Sequence, residues 1–327
     1  MQSEHDLPNV EILLATYNGE RFLREQIDSI LAQDYKNLTI LARDDGSSDR
    51  TLAILDEYAQ RFPHRFRRLP QGIPTGNAKD NFLLLMKSST APYVCFSDQD
   101  DVWLTDKVSL AKEAMNRLES RWGPDRPLLS FSDLRVVDDA LRTLHKSFWK
   151  QAEINPDSIL SLNGLLSQNV VTGCTAMINR PLLELALQMP EEASMHDRWI
   201  ALLVSIFGKA EVVRSQTVLY RQHDRNVIGV QERTGSFSEL VKRAWFGDQR
   251  RIEYKISMQQ ARALLRVHNK DLPVEKRRLL EAYLRYGTGR SRLKRIGTMV
   301  RYRLFRTGLR RNLATIVDIL RWNVDIN

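Results

Sequence analysis

Three carboxylates within four positions are the residues best placed to do chemistry: Asp98, Asp100 and Asp101, in Ser97-Asp98-Gln99-Asp100-Asp101-Val102-Trp103. They follow Tyr93-Val94-Cys95-Phe96, whose aromatic and β-branched content reads as a short buried strand. Carboxylates crowded at a strand end repel one another, and each is costly to desolvate unless positive charge sits among them. A divalent cation meets that need. Mg²⁺ or Mn²⁺ is commonly held by one or two carboxylates, with waters and substrate phosphates completing its shell. The same acids also read as a solvated turn capping a helix that begins near Trp103, since Asp is common in turns and at N-caps.

The elements around this stretch decide between the two readings. Val10–Ala15 predicts a first strand ending in Thr16-Tyr17-Asn18-Gly19, followed by a helix over about 20–33 with Phe22, Leu23, Ile27, Ile30 and Leu31 on one face. Leu38–Ala42 predicts a second strand, again ending in acid at Asp44-Asp45-Gly46-Ser47-Ser48-Asp49, with Asp49 as cap of the next helix. Phe66–Leu69, a Gly/Pro loop and a helix over about 77–87 make a weaker third unit, and a helix from Trp103 to Leu118 follows the fourth strand. Alternation at these lengths predicts an α/β protein with a doubly wound, mostly parallel sheet and helices on both faces. Ligands of such sheets bind beyond the carboxyl ends of the strands. Thr16–Gly19, Asp44–Asp49 and Asp98–Asp101 therefore converge on one crevice, and that convergence favours a nucleotide site.

Beyond a strand over Leu128–Val137 the alternation loosens. Residues 138–157 read as irregular, 158–166 as a short helix, and Val170–Ile178 as a strand whose small residues, Thr172-Gly173-Cys174-Thr175, mark either close approach by a ligand or a plain bulge. Met195-His196-Asp197-Arg198-Trp199 opens an apolar helix to Phe207, where Asp197 reads first as a cap. A strand over Ala210–Leu219 leads into Tyr220-Arg221-Gln222-His223, and a lone His after a strand is more often structural than a ligand.

Composition narrows the class. The 327 residues carry a net charge of +9, unevenly spread: residues 231–327 hold 23 Lys and Arg against 9 Asp and Glu, leaving 26 against 31 in residues 1–230. The acidic part bears the motifs. Cys95 and Cys174 are too few for a disulfide framework and read as reduced core thiols of a cytoplasmic protein. The start of the chain does not read as a signal peptide, and the longest apolar runs are too short to span a membrane.

Taken together, Ala15-Thr16-Tyr17-Asn18-Gly19, Asp44–Asp49, Ser97–Trp103, His196-Asp197 and Tyr220–His223 resemble glycosyltransferase family 2, of the GT-A type, and within it the bacterial rhamnosyltransferase-like branch. The resemblance covers about residues 8–228 and rests on five pieces in family order and spacing. It implies that Thr16 and Tyr17 meet the nucleoside and that Asp44 or Asp45 bonds the base or ribose. Asp98-Gln99-Asp100 stands at the family's Asp-x-Asp, which makes Asp100 a metal ligand and Asp98 a ribose or metal contact. It further implies that Asp197 is the catalytic base, that His223 is another metal ligand, that Asp101 and Trp103 form the mouth, and that Thr172 and Gly173 face the acceptor. The processive members' Gln-x-x-Arg-Trp motif is missing, so one sugar per encounter is expected.

The activity implied is inverting, metal-dependent transfer from a dTDP- or UDP-sugar to a glycan or lipid-linked glycan, extending a cell-surface polysaccharide such as O-antigen. The competing readings are a nucleotidyltransferase, for which Thr16–Gly19 lacks the Gly-rich phosphate loop with its Lys or Arg, and a non-catalytic nucleotide- or membrane-binding protein. The domain boundary falls near 230, with a basic helical region over 231–327. Within it, 290–311 holds nine basic residues and no acid, interleaved with apolar ones through Trp322. As an amphipathic helix this stretch suits an anionic membrane surface and predicts peripheral attachment at the inner face of the cytoplasmic membrane; an ordinary helical subdomain is the plainer alternative. Nucleic acid is not expected, since no recognition motif accompanies the charge.

Overall fold

The computed structural model describes residues 7–223, 248–288 and 291–321. It divides into two compact units: residues 1–152, 171–189 and 195–226 form the first, and 153–170, 190–194 and 227–327 the second. The boundary expected near 230 lies outside the described residues.

The first unit holds strands β1 (Val10–Thr16), β2 (Leu38–Asp44), β3 (Phe66–Arg68), β4 (Tyr93–Ser97), β5 (Val102–Trp103), β6 (Leu128–Val137), β7 (Thr143–His145), β8 (Ala176–Asn179) and β9 (Lys209–Arg221). Its helices are α1 (Leu23–Leu31), α2 (Thr51–Arg61), α3 (Ala78–Ser88), α4 (Lys107–Trp122), α5 (Phe148–Gln151), α7 (Arg180–Ala186) and α8 (His196–Phe207). The short helix α6 (Leu162–Ser167) belongs to the second unit.

One sheet runs in the order β3-β2-β1-β4-β8-β6-β9-β5, with β7 beside β6. The first four strands of that order are parallel, as the strand–helix alternation predicts. Their sequences are near-continuous apolar runs because both faces are covered: Val10, Ile12, Leu13 and Leu14 are all fully buried. At β8 the sheet turns antiparallel to β4 and β6, and it is mixed from there on. The crossover direction reverses between β1 and β4, and a doubly wound sheet opens its ligand crevice beyond the strand ends at such a point. The Thr16–Gly19 turn and the Asp98–Asp101 loop sit at those two ends.

Several local expectations need correcting. No helix begins at Trp103: Val102 and Trp103 form β5, paired antiparallel with Leu219 and Val218, and the helix starts only at Lys107. The acids of 98–101 therefore do not cap a helix. Strand β8 starts at Ala176, and Gly173–Thr175 form a 3-10 turn instead of extending it. The stretch 138–157, read as irregular, contains β7 and α5, while 158–166 breaks at Ser161 into a 3-10 turn and α6.

In the second unit, α6 is joined by α9 (Asp248–His268), α10 (Val274–Thr288), α11 (Arg292–Arg301) and α12 (Leu309–Arg321). Its core gathers Met258, Leu264, Leu280, Tyr283 and Tyr286. Tyr283 donates its hydroxyl to the Leu166 carbonyl at 3.2 Å, which ties α10 to the end of α6. The single basic helix expected over 290–311 is instead broken after Arg301, where Arg303 takes φ +50° and Gly308 φ +93°. Arg290 and Trp322 lie outside the described residues.

Gly208 sets the start of the β6–β9 ladder. A Cβ there would stand 2.1 Å from the Pro127 carbonyl oxygen, which accepts the Lys209 N–H at 3.0 Å. Because backbone cannot yield as a side chain can, Gly208→Ala should lower stability by about 2 kcal/mol in urea titration. An unchanged midpoint would show that this ladder tolerates displacement.

Candidate active site

The crevice is built from turns whose acids are mostly engaged in holding them. Thr16 ends β1 with its hydroxyl donating to Asp44 Oδ1 at 3.0 Å. Asp44 also accepts the Gly46 and Ser47 N–H groups at 3.0 and 2.7 Å and the Ser47 hydroxyl at 2.5 Å. Asp45 accepts from Arg43 Nη1 at 2.9 Å, from the Thr75 N–H at 2.7 Å and from the Gly76 N–H at 2.9 Å. Burial pushes its carboxyl upward, but these hydrogen bonds outweigh it and leave Asp45 below the ordinary range. Both acids are buried, so the structure places Asp44 and Asp45 in the crevice wall, tying loops to β2.

Tyr17 is different: the residue is 58% exposed. Its backbone is gripped by a residue that the sequence reading passed over. Gln99 Oε1 accepts the Tyr17 N–H at 2.8 Å, and Gln99 Nε2 donates to the Tyr17 carbonyl at 2.9 Å. The middle residue of Asp98-Gln99-Asp100 thus locks the end of β1 to the end of β4. A Cβ on Gly19 would lie 2.2 Å from Gln99 Oε1, so glycine there makes room for the clamp.

The acids at the end of β4 separate by depth. Asp101 is fully buried, accepts the Arg221 N–H at 3.2 Å through Oδ1, and is hydrogen-bonded by the Cys174 thiol. Its carboxyl is raised well above the usual range by burial and by Asp100 and Asp98. Buried Cys174 lies with it, and one donor atom from each of Asp98, Asp101 and Cys174 falls within 4.8 Å of the others. The Lys107 amine, 1% exposed and 4.2 Å over the Trp103 ring, is held below the ordinary lysine range by burial, with Cys95, Cys174 and Asp101 acting the other way. Trp103 is 3% exposed with its backbone N–H on Ser29 Oγ, so Trp103 and Asp101 lie beneath the crevice and not at its mouth.

Asp98 and Asp100 form the outer layer. Burial and the charges of Asp100 and Asp197 push Asp98 up to about 7. Asp100 Oδ2 meets His223 Nε2 at 2.8 Å, so the segment just beyond β9 reaches the acids at the end of β4. Arg221, 1% exposed, fixes this geometry. Its Nε donates to the Asp100 carbonyl at 2.8 Å, and its Nη atoms donate to the Asp139 carbonyl and the Glu25 carboxylate.

The structure also brings Asp197 here, since its charge bears on Asp98. Asp197 starts α8 with its carboxylate on the Arg198 N–H at 2.5 Å, and burial, opposed by the Arg198 and Gly173 backbone N–H groups, pushes it up to about 6. Gly173 lies beside it: a Cβ there would stand 3.6 Å from Asp197 Cβ and 2.7 Å from His196 Nε2. Thr172 precedes it on the same turn, accepting the Thr175 hydroxyl through its carbonyl. His196 packs between Phe82 and Phe96, at ring separations of 4.1 and 4.8 Å, and burial holds it down to about 3, a neutral wall behind the acid.

This donor set fits a divalent cation. Two carboxylates and an imidazole are suitable ligands, and Asp98 is raised by burial and by the charges of Asp100 and Asp197, which a cation would offset.

Residues 11–121 match the family model described as glycosyl transferase family 2. That match covers 111 of the 327 residues. The dTDP-rhamnosyl transferase RfbG of Shigella flexneri is 28% identical over 229 residues, 66% of this chain and 73% of that protein. An uncharacterized glycosyltransferase of Rickettsia prowazekii is 26% identical over 171 residues, 52% of this chain and half the length of that protein. Among solved structures, S. aureus TarS 1–349 in complex with UDP-GlcNAc aligns with a TM-score of 0.58 at 15% identity, over 90% of this chain and 80% of that one. The mannosyltransferase PcManGT of Pyrobaculum calidifontis, in complex with GDP-Man and Mn²⁺, aligns with a TM-score of 0.56 at 15% identity, over 99% and 78%. The likenesses to solved structures show the GT-A fold.

The raised acids give a signed pH effect. Folded Asp98 and Asp197 hold protons that the unfolded chain, its carboxylates titrating near 4, gives up. Their contribution to stability is full below about pH 4 and is lost as pH rises through about 6 and 7. His196 acts oppositely, losing stability as pH falls from about 6.5 toward 3, and cancels in a comparison of variants. In metal-free buffer, Asp98→Asn should therefore gain on wild type by up to about 1 kcal/mol per pH unit between pH 4 and 7. Parallel urea midpoints across that range would contradict the placement of Asp98.

Proposed function

We propose that the domain is an inverting, metal-dependent glycosyltransferase that moves one sugar, first of all L-rhamnose from dTDP-L-rhamnose, to a hydroxyl of a growing lipid-linked cell-surface polysaccharide. The observation that carries the reading is Asp197, raised to about 6, whose charge bears on Asp98 beside the Asp100–His223 contact. The rhamnosyl relative supports the donor, and the Mn²⁺ bound by the mannosyltransferase supports the cation. Residues 1–230 serve as the catalytic domain and 231–327 as attachment to the inner face of the cytoplasmic membrane, a reading supported by the basic surplus of the latter.

The steps follow from the residues. Tyr17 lies open to stack on the base, its backbone set by Gln99, while Thr16, Asp44 and Asp45 keep the floor and wall rigid. Asp98 contacts the ribose or a metal-bound water. Asp100 and His223 would hold Mg²⁺ or Mn²⁺, which supplies Lewis-acid stabilisation of the diphosphate as negative charge develops on it. The acceptor hydroxyl enters over Thr172 and Gly173. As its oxygen bonds to the anomeric carbon and the carbon–phosphate-oxygen bond breaks, Asp197 takes the hydroxyl proton. A single displacement of this kind inverts the anomeric configuration.

Asp197→Asn should lower transfer by about 10²- to 10⁴-fold while keeping donor binding. The wild-type rate should rise with pH through about 6 and then level, because Asp197 must be ionised to act. A thermal-shift panel of dTDP, UDP and GDP with and without Mn²⁺ tests the donor class: the reading expects a Mn²⁺-dependent shift strongest with dTDP. Full turnover by Asp197→Asn, or no shift with any nucleotide, would overturn it.

A further inference from the structure

The last two helices of the second unit turn apolar residues outward. In α11 the inward face carries Arg295 and Met299, 4% and 1% exposed, whereas Leu293 and Val300 are 82% and 59% exposed. Leu293, Ile296, Gly297 and Val300 follow the three- and four-residue spacing of one helix face. The orientation is fixed from inside, since Arg295 Nε donates to the Tyr286 carbonyl at 3.0 Å and the guanidinium lies 5.7 Å from the Tyr286 ring. Helix α12 repeats the pattern with Ile319 buried and Leu313 and Val317, four residues apart, 53% and 40% exposed. Phe305, between the helices, is 41% exposed. Five of the eleven large apolar side chains exposed among the described residues thus fall between 293 and 317. Scattered exposed apolar residues need no explanation, but a concentration of them marks a contact surface.

Charge identifies what the surface meets. Arg292, Lys294, Arg301 and Arg303 are exposed around the stripe, and residues 290–311 contain no acid. A second copy placed on this face would set like charges together. Anionic lipid headgroups would satisfy them, while the leucine, valine and phenylalanine side chains enter the acyl boundary and the long basic stems reach back to the phosphates. No described helix is long and apolar enough to cross a membrane, so the contact is one of helices lying on the surface.

We propose that α11, the segment 302–308 and α12 dock the protein on an anionic bilayer, with Leu293, Val300, Phe305, Leu313 and Val317 as the inserted residues. The proposal rests for its purpose on the lipid-linked acceptor above, and its evidence is independent of it.

Flotation of the full chain with phosphatidylcholine vesicles, with or without phosphatidylglycerol, tests it. Wild type should float with the phosphatidylglycerol vesicles alone and be released by high salt. Leu293→Glu/Val300→Glu should lose at least about tenfold in partitioning, and Arg301→Gln about fivefold, with melting temperature and transfer to a dissolved acceptor unchanged. Leu293→Ser/Val300→Ser, which adds no charge, should show an intermediate loss. Failure of wild type to float, equal flotation of the glutamate variant, equal binding to phosphatidylcholine alone, or a dimer abolished by the same substitutions would each overturn the proposal. Flotation without transfer would count against the catalytic reading alone, and transfer without flotation against the docking surface alone.

Discussion

Negative charge gathered at the carboxyl end of β4 is the constraint on which the first unit depends. Asp98, Asp100 and Asp101 leave one strand, and α8 delivers Asp197 to the same place. Such a cluster does not hold together by itself, because each buried carboxylate raises the proton affinity of the next. The fold answers in two layers. Beneath, the Arg221 backbone N–H and the Cys174 thiol attend Asp101, which burial holds toward its neutral form. Above, compensation is left open toward the crevice, where a cation and a diphosphate would complete it.

A count of partners sorts the acids of this domain by role. Asp44, Asp45 and Asp49 each accept several hydrogen bonds from nearby N–H and hydroxyl groups, and they define turns. Asp45 and Asp49 are correspondingly held below the ordinary carboxylate range, once hydrogen bonding has outweighed their burial. Asp98 and Asp197 are raised instead. Groups so displaced toward neutrality are suited to exchange a proton or to receive a metal ion, and they cluster at functional sites. Gln99 and Arg221 join the two classes by fixing the backbone of Tyr17 and Asp100.

The parallel half of the sheet was legible because its signals are local. Apolar runs such as Val10–Thr16, the acids that end them, and amphipathic helices such as α1 all lie within short windows. What was not legible depends on contacts distant in sequence. Val102–Trp103 looked like a helix start, and only its pairing with Val218 and Leu219 makes it a strand. Arg221 stood in a recognised motif, yet nothing local shows that it reaches the Asp100 carbonyl. Asp44 and Asp45 were expected to bond the base or ribose, and only the fold shows that Gly46 and Ser47 donate to the one and Thr75 and Gly76 to the other. The basic stretch after 290 carried its amphipathic period plainly, but the break at Arg303 and the inward turn of Arg295 required the packing against Tyr286.

Electron paramagnetic resonance of Mn²⁺ titrated into the chain with a nucleoside diphosphate tests the central claim most directly. The account predicts one bound ion per chain, lost in Asp100→Ala, weakened in His223→Ala, and retained in Asp45→Asn, whose side chain only holds a loop. Binding that survives Asp100→Ala, or that needs Asp45 and not Asp100, would contradict it and remove the charge imbalance at β4 as the basis of function.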